Sequence, residues 1–201
     1  MNFVRKVLSL FTLTHELKFA LRKFLPQFDA LVQKHTTIAG APLKERYTLT
    51  YLASMSKCTE FPTLYFNTGY GFILCVLKDG KQIPIAGIEF EHGFREVVVH
   101  RLRYVEGMKD YLDPLLWERL LYEAVVKIFS GLTHTTMIRR VCTCSPKRSP
   151  YNLWEHPEFC GSDLPVSKME EHQGNLEIAL RRIPRHVGFA QCEGGKLQFL
   201  L

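Results

Sequence analysis

The stretch Asp113 to Gly131 (DPLLWERLLYEAVVKIFSG) restricts the fold of this chain more than any other. Trp117, Leu120, Leu121, Ala124, Val125 and Ile128 recur at helical spacing and form one broad apolar stripe. Asp113 reads as the N-cap, its carboxylate accepting from the free N–H groups of the first turn. Pro114 follows where a missing N–H costs nothing, and Gly131 offers a stop. Glu123 and Lys127 stand four apart and can pair on the polar face. Strand-like runs lie on both sides, which makes this helix a candidate crossover.

Before it, Phe72 to Leu77 is an apolar strand. Lys78-Asp79-Gly80-Lys81 is a hairpin turn, because Asp-Gly tolerates the positive φ a tight turn requires. Ile83 to Phe90 returns, with Pro84 suggesting an edge or a strand start. Glu96 to Val105 (EVVVHRLRYV) alternates: Val97, Val99, Arg101 and Arg103 on one face, Val98, His100, Leu102 and Tyr104 on the other. A loop from Glu106 to Leu112 leads to the helix, and Met137 to Thr143 is the next strand. Further back, residues 1 to 13 form an amphipathic segment and Thr14 opens a second helix to about Lys34, which Pro26 should kink or split. A loop surrounds Gly40-Ala41-Pro42. Tyr47 to Met55 reads equally as strand or short helix, and Phe61 to Phe66 has strand composition. Beyond the crossover, residues 145 to 173 read as an irregular insertion rich in Pro, Ser, Asn and charge. Asn175 to about Ile183 is helical by pattern, and Val187 to Cys192 and Leu197 to Leu201 are short strands about Gly194-Gly195. The expected organisation is an N-terminal helical segment, 1 to 45, followed by one domain, 46 to 201.

Charge and cysteine usage narrow the class. A formal charge of +6 and a pI near 9.0 lean towards an acidic partner. The basic clusters Arg139-Arg140, Lys147-Arg148 and Arg181-Arg182-Arg185 could merge into one positive surface for nucleic acid or a large assembly, and equally into an ordinary solvated face. The six cysteines are scattered, and several fall inside apolar runs as small hydrophobes. No stretch has the length of a membrane span and no secretory signal is present, so the reading is a soluble, cytoplasmic protein with free thiols. Cys142 and Cys144 share a strand face, but only His156 and Cys160 could join them and the spacing fits no zinc pattern, so no metal is expected.

The order of elements from Gly71 is strand, turn, strand, strand, loop, helix, strand, helix, strand, strand. It resembles that of the GNAT acyltransferase superfamily. The closing stretch Asn175-Leu-Glu-Ile-Ala179 … Val187-Gly188-Phe189 is similar to the family's late motif, a helical Asn and small residue before a Gly-Phe on the following strand. The resemblance covers residues 71 to 201. It implies an α/β (α+β) fold: a twisted, mostly antiparallel central sheet flanked by helices. It also implies acetyl-CoA or another acyl-CoA as donor, with a small-molecule or protein amine as acceptor. The cofactor would lie at Val105, Gly107, Lys109 and Asn175, its pyrophosphate at the start of the crossover helix.

The chain departs from that pattern in two places. Its loop has one glycine, Gly107, and one cation, Lys109, against Glu106, Asp110 and Asp113. The family's tyrosine acid, four residues before the late glycine, is Pro184 here, which leaves Tyr104, Tyr122 and Tyr151 as substitutes. Glu89, Glu91 and His92 end one strand and His100 lies on its neighbour, where a carboxylate or imidazole could act as general base for an amine or simply form a solvated strand end. The catalytic candidates are therefore Glu89, Glu91, His100 and Tyr104. Two functions remain open: an acyltransferase, and a non-catalytic binding or assembly protein on the same scaffold.

Overall fold

The computed structural model describes residues 3–36, 43–53, 70–92, 95–132, 135, 137–140, 187–191 and 197–201. The candidate strand 61–66, the insertion 145–173, the helix 175–183 and the turn 194–195 lie outside the described residues.

The chain starts with one continuous helix, α1 (Phe3–Phe24). Thr14 is inside it, so the expected break there is absent: nothing at Thr14 removes a backbone donor, and its hydroxyl lies within reach of Tyr51 and Tyr70. Pro26 does break the helix. It sits in a 3₁₀ turn, Leu25–Gln27, because its ring supplies no N–H for an α-helical bond. The helix resumes as α2 (Phe28–Lys34). Leu17, Leu21, Phe24, Phe28, Leu31 and Val32 keep to the buried side throughout.

Four strands then form an antiparallel meander: β1 (Arg46–Ala53), β2 (Tyr70–Lys78), β3 (Lys81–His92) and β4 (Glu96–Tyr104). The ambiguous segment after Tyr47 is thus a strand. Asp79 (φ 51°) and Gly80 (φ 72°) both adopt the left-handed backbone that a two-residue hairpin needs. Pro84 is in an interior strand, contrary to expectation. Ile85 is an extra residue against β2, so the proline falls beside a bulge where a ladder donor is not required, and β4 pairs only from Ala86 onward.

From β4 the chain passes through a short helix, α3 (Lys109–Leu112), and then α4 (Trp117–Ser130). It returns as β5 (Met137–Arg140), parallel to β4. This crossover is the connection a parallel pair requires. Among the described residues, β6 (Ala190–Gln191) and β7 (Leu197–Leu200) complete a seven-stranded sheet of order β1-β2-β3-β4-β5-β7-β6. The fold is α+β with a mostly antiparallel sheet and an N-terminal helix. Among the described residues no helix is long and apolar enough to cross a membrane.

Helices α1, α2 and α4 cover one face. Alternate residues Phe72, Leu74 and Val76 on β2, Ile88 and Phe90 on β3, and Val97, Val99 and Leu102 on β4 form a single core with the α4 stripe Leu120, Leu121, Ala124, Val125, Ile128 and Phe129. Phe90 joins the layers, 5.0 Å from Phe72 and edge-on to Phe129 at 5.1 Å. Burying such a ring contributes about 1.5–3 kcal/mol. The odd-numbered residues of β2, Ile73 and Cys75, point to the other face and pack with Val105.

Candidate functional site

The central strand β4 holds the feature that positions the site. Glu89 pairs with Arg101 and Phe90 with Val99, so His100 is an extra residue with no partner on β3: a β-bulge. Strict alternation along EVVVHRLRY therefore fails. Val97 and Val99 occupy the core face in one phase and Leu102 and Tyr104 in the next. The described parallel pairing of β4 with β5 runs from Glu96–Met137 to Val99–Arg140, where the described residues of β5 end.

Three of the four catalytic candidates lie on the face opposite the helices. Glu89 and Glu91 alternate with the core residues Ile88 and Phe90, so their side chains leave the sheet on the other side. Glu89 is fully buried and opposite Arg101 in register. The Glu91 carboxylate is half open to solvent, and its Oε2 is 3.4 Å from Nε2 of His100, whose side chain is 23% exposed. The two groups are in ion-pair range but out of line for a hydrogen bond, so Nε2 has no hydrogen-bond partner. Tyr104 is on the helix-covered face instead, half-buried and edge-on to Trp117 at 6.3 Å. His92, at the end of β3, lies flat on Phe129 (5.7 Å, 16°) with Nε2 3.1 Å from Thr135 Oγ1. Burial holds its pKa below the ordinary imidazole value, partly opposed by Glu16.

The segment between β4 and α4 is closed on itself. Val105 N–H donates to Ile85 O (2.8 Å), and Met108 N–H to Val105 O (3.1 Å), with Gly107 at φ 79° completing the turn. Glycine is required there by backbone conformation. Lys109 is exposed at the start of α3. Tyr111 is strapped towards the far side of the sheet: its carbonyl accepts from Tyr47 Oη (2.9 Å) and its hydroxyl from Lys78 Nζ (3.4 Å). Those partners are on β1 and at the end of β2, three or more strands from β5 in the sheet order. Leu112 is buried in the core.

The crossover helix begins later than its local signals suggest. Asp113 caps the C-terminus of α3, donating its N–H to Lys109 O (2.8 Å), and Leu116 is the N-cap of α4. A distant partner decides this: Thr36 bridges to Leu115, and Leu116 N–H donates to His35 O at 2.7 Å. Glu118, in the first turn, bends its carboxylate back onto its own N–H. Burial raises its pKa, against the pull of that hydrogen bond and of Arg119. At this helix start the Leu116 N–H is committed to His35 O, Pro114 has no N–H, and the acidic Glu118 is in the first turn.

Glu118 and the His100 bulge were the features of this region hardest to see in the sequence. The signal for the bulge was the change of phase between Val97/Val99 and Leu102/Tyr104. A glutamate in a first helical turn looks like an ordinary complement to the helix dipole. Arg139 and Arg140 are on β5. Asn175, Lys147, Arg148, Arg181, Arg182 and Arg185 lie outside the described residues, as do Cys142, Cys144, His156 and Cys160.

No family model matches the chain, and no curated protein matches it either. Among solved structures it is similar to the cAMP-binding acyltransferase from Mycobacterium smegmatis (E234A mutant), at 11% identity and a TM-score of 0.33 over 92% of this chain. The match takes in 52% of that protein, so the chain spans about half its length.

Proposed function

We propose that the protein is a divergent acyltransferase that moves an acyl group from a CoA-type thioester to an amine acceptor. One observation carries the reading: β4 bulges at His100 and sets an imidazole beside the Glu91 carboxylate on the face opposite the described helices. A bulge removes one residue from the ladder and re-aims its side chain, a device common at active sites. Tyr111 is held on the β1–β2 side by Tyr47 and Lys78.

In the proposed reaction the amine nitrogen attacks the thioester carbonyl. The C–N bond forms, the C–S bond breaks and the thiolate leaves. His100, with the Glu91 carboxylate 3.4 Å from its Nε2, accepts the proton the amine loses, and the thiolate takes a proton from solvent. Positioned proton transfer of this kind contributes about 10²- to 10⁴-fold. Glu89 anchors the next register position, opposite Arg101.

The acidic first turn of α4, with Glu118 in it, favours a second reading, a non-catalytic binding or assembly protein whose basic residues, including Arg139 and Arg140, face nucleic acid or a large complex. Thiol release from a panel of acyl thioesters with amine acceptors separates the two. Release that depends on both substrates and falls in His100→Gln supports the enzyme. Release no faster than spontaneous hydrolysis, with salt-dependent nucleic-acid binding, supports the second reading.

A further inference from the structure

Helix α4 starts on a leucine, although an aspartate followed by proline stands just before it in the chain. Leu116 is the N-cap (φ −83°, ψ 61°), and its side chain makes no capping bond. Leucine is among the poorest N-caps and aspartate among the best. Pro114 adds a second preference, because it turns the residue before it away from the α region and towards the extended backbone that an N-cap adopts. Asp113 is nevertheless in the α region (φ −54°, ψ −38°), as the C-cap of α3. Both preferences favour a helix that begins one turn earlier. In that helix Pro114 is the first residue and Leu116 the third, where the Asp113 carboxylate can accept the Leu116 N–H. The structure gives that same donor to His35 O at 2.7 Å.

The end of α2 holds the later start in place. His35 grips α4 at two points about two turns apart: its carbonyl at Leu116, and its ring Nε2 2.8 Å from Oε2 of Glu123. Lys34 takes the same carboxylate, and Thr36 bridges to the buried Leu115. We infer that the first turn of α4 is a two-position element latched by α2. With the latch closed, α4 begins after Leu116. With the latch released, the Asp113 carboxylate takes the Leu116 N–H and residues 114–116 become helical. The N–H groups of Trp117, Glu118 and Arg119 then bond to the carbonyls of Asp113, Pro114 and Leu115. Leu115 loses its bridge to Thr36, and the bond from Asp113 N–H to Lys109 O opens. Burial of Leu115 and the contacts of Glu123 with Lys34 and His35 favour the closed position, which is the one observed. The device is independent of the chemistry at His100.

The test follows the full chain by NMR, reading the Cα secondary shifts of residues 114–116 and the hydrogen exchange of the Leu116 amide. Glu123→Ala removes the acceptor shared by Lys34 and His35. It should move those shifts to helical values and speed Leu116 exchange about tenfold or more, because a side-chain cap at a helix end opens more readily than the latch. Adding Asp113→Ala takes away the competing cap and should return the shifts towards those of the parent. Lys34→Ala, at an exposed position, keeps the His35 contact and should move the signals the same way by a smaller amount. It carries the test if Glu123→Ala does not fold. Shifts at 114–116 that stay unchanged in the single variants, or move to coil values, would overturn the inference. So would helical shifts that persist when Asp113→Ala is added.

Discussion

Glu123 of α4 meets His35 of α2 at 2.8 Å, Oε2 to Nε2, and the same carboxylate takes Lys34 Nζ at 2.8 and 2.9 Å. The i,i+4 neighbour Lys127 is farther, at 4.0 Å. The carboxylate is therefore turned towards α2 and ties its end to the crossover helix, beside the carbonyl of His35 that caps α4.

This arrangement sets a pH dependence. Burial alone would raise the Glu123 pKa, but the hydrogen bonds from Lys34 and His35 outweigh it and hold the value below 4.5. A carboxylate depressed on folding stabilises the protein above its unfolded pKa, and that contribution disappears as pH falls through the folded value. Glu123→Gln should cost about 1 kcal/mol at pH 7, a modest figure because Lys34 is 63% exposed. The difference from the parent should vanish at acid pH. Urea denaturation from pH 7 to pH 3 measures it, and a constant difference across that range would contradict the assignment.

His92 makes the opposite kind of contribution. Its pKa is lowered by burial, with Glu16 opposing. As pH falls below 6.5 the unfolded chain takes up a proton before the folded one, so stability declines between 6.5 and the folded value and is flat above it. In His92→Gln the decline should flatten, whereas in Glu16→Gln it should steepen. Thermal melts at pH 7.5 and pH 5.5 decide between these outcomes.

Gly188 fits its site for two reasons. Its φ is 100°, and a Cβ there would stand 3.0 Å from Cε2 of Phe199. The turn it makes delivers Phe189 to the core, where the ring meets Tyr122 at 5.7 Å and Phe199 at 5.6 Å. Gly188→Ala should destabilise by about 1–3 kcal/mol through backbone strain. Adding Phe199→Leu should relieve the steric part and leave the backbone part. A denaturation midpoint unchanged in the single variant would refute the strain argument.

What could be read in the sequence follows from where the deciding interaction is. Asp79-Gly80 and Pro26 act through their own backbone, so the hairpin and the helix break were legible from single residues. The alternation of β2 and the stripe of α4 revealed the buried faces, and the element order suggested a mostly antiparallel sheet flanked by helices. The start of α4 was misread because Asp113-Pro114 is a sound local cap, and it is overruled by a hydrogen bond to His35 from a remote segment. Glu123 looked solvated for the same reason, since its partners are on another helix. Glu89, Glu91 and His100 share a face by counting, but the bulge that brings Glu91 and His100 together depends on register against β3, which no single strand encodes.

The pairing of His100 with Glu91 leads to the test closest to function. If His100 accepts the proton and Glu91 orients it, His100→Gln should lower kcat about 100-fold or more, the usual effect of losing a positioned base. Glu91→Gln keeps the shape and removes the charge, and should cost about tenfold. In the double variant the losses should not add, because Glu91 acts only through the imidazole. Both positions are at least partly open to solvent (side chains 23% and 53% exposed), so the substitutions should leave the melting temperature within a few degrees of the parent. Additive losses in kcat would mean that the two groups serve separate steps. An unchanged kcat in His100→Gln would move the base elsewhere, with the buried Glu89 on the same face the next residue to replace.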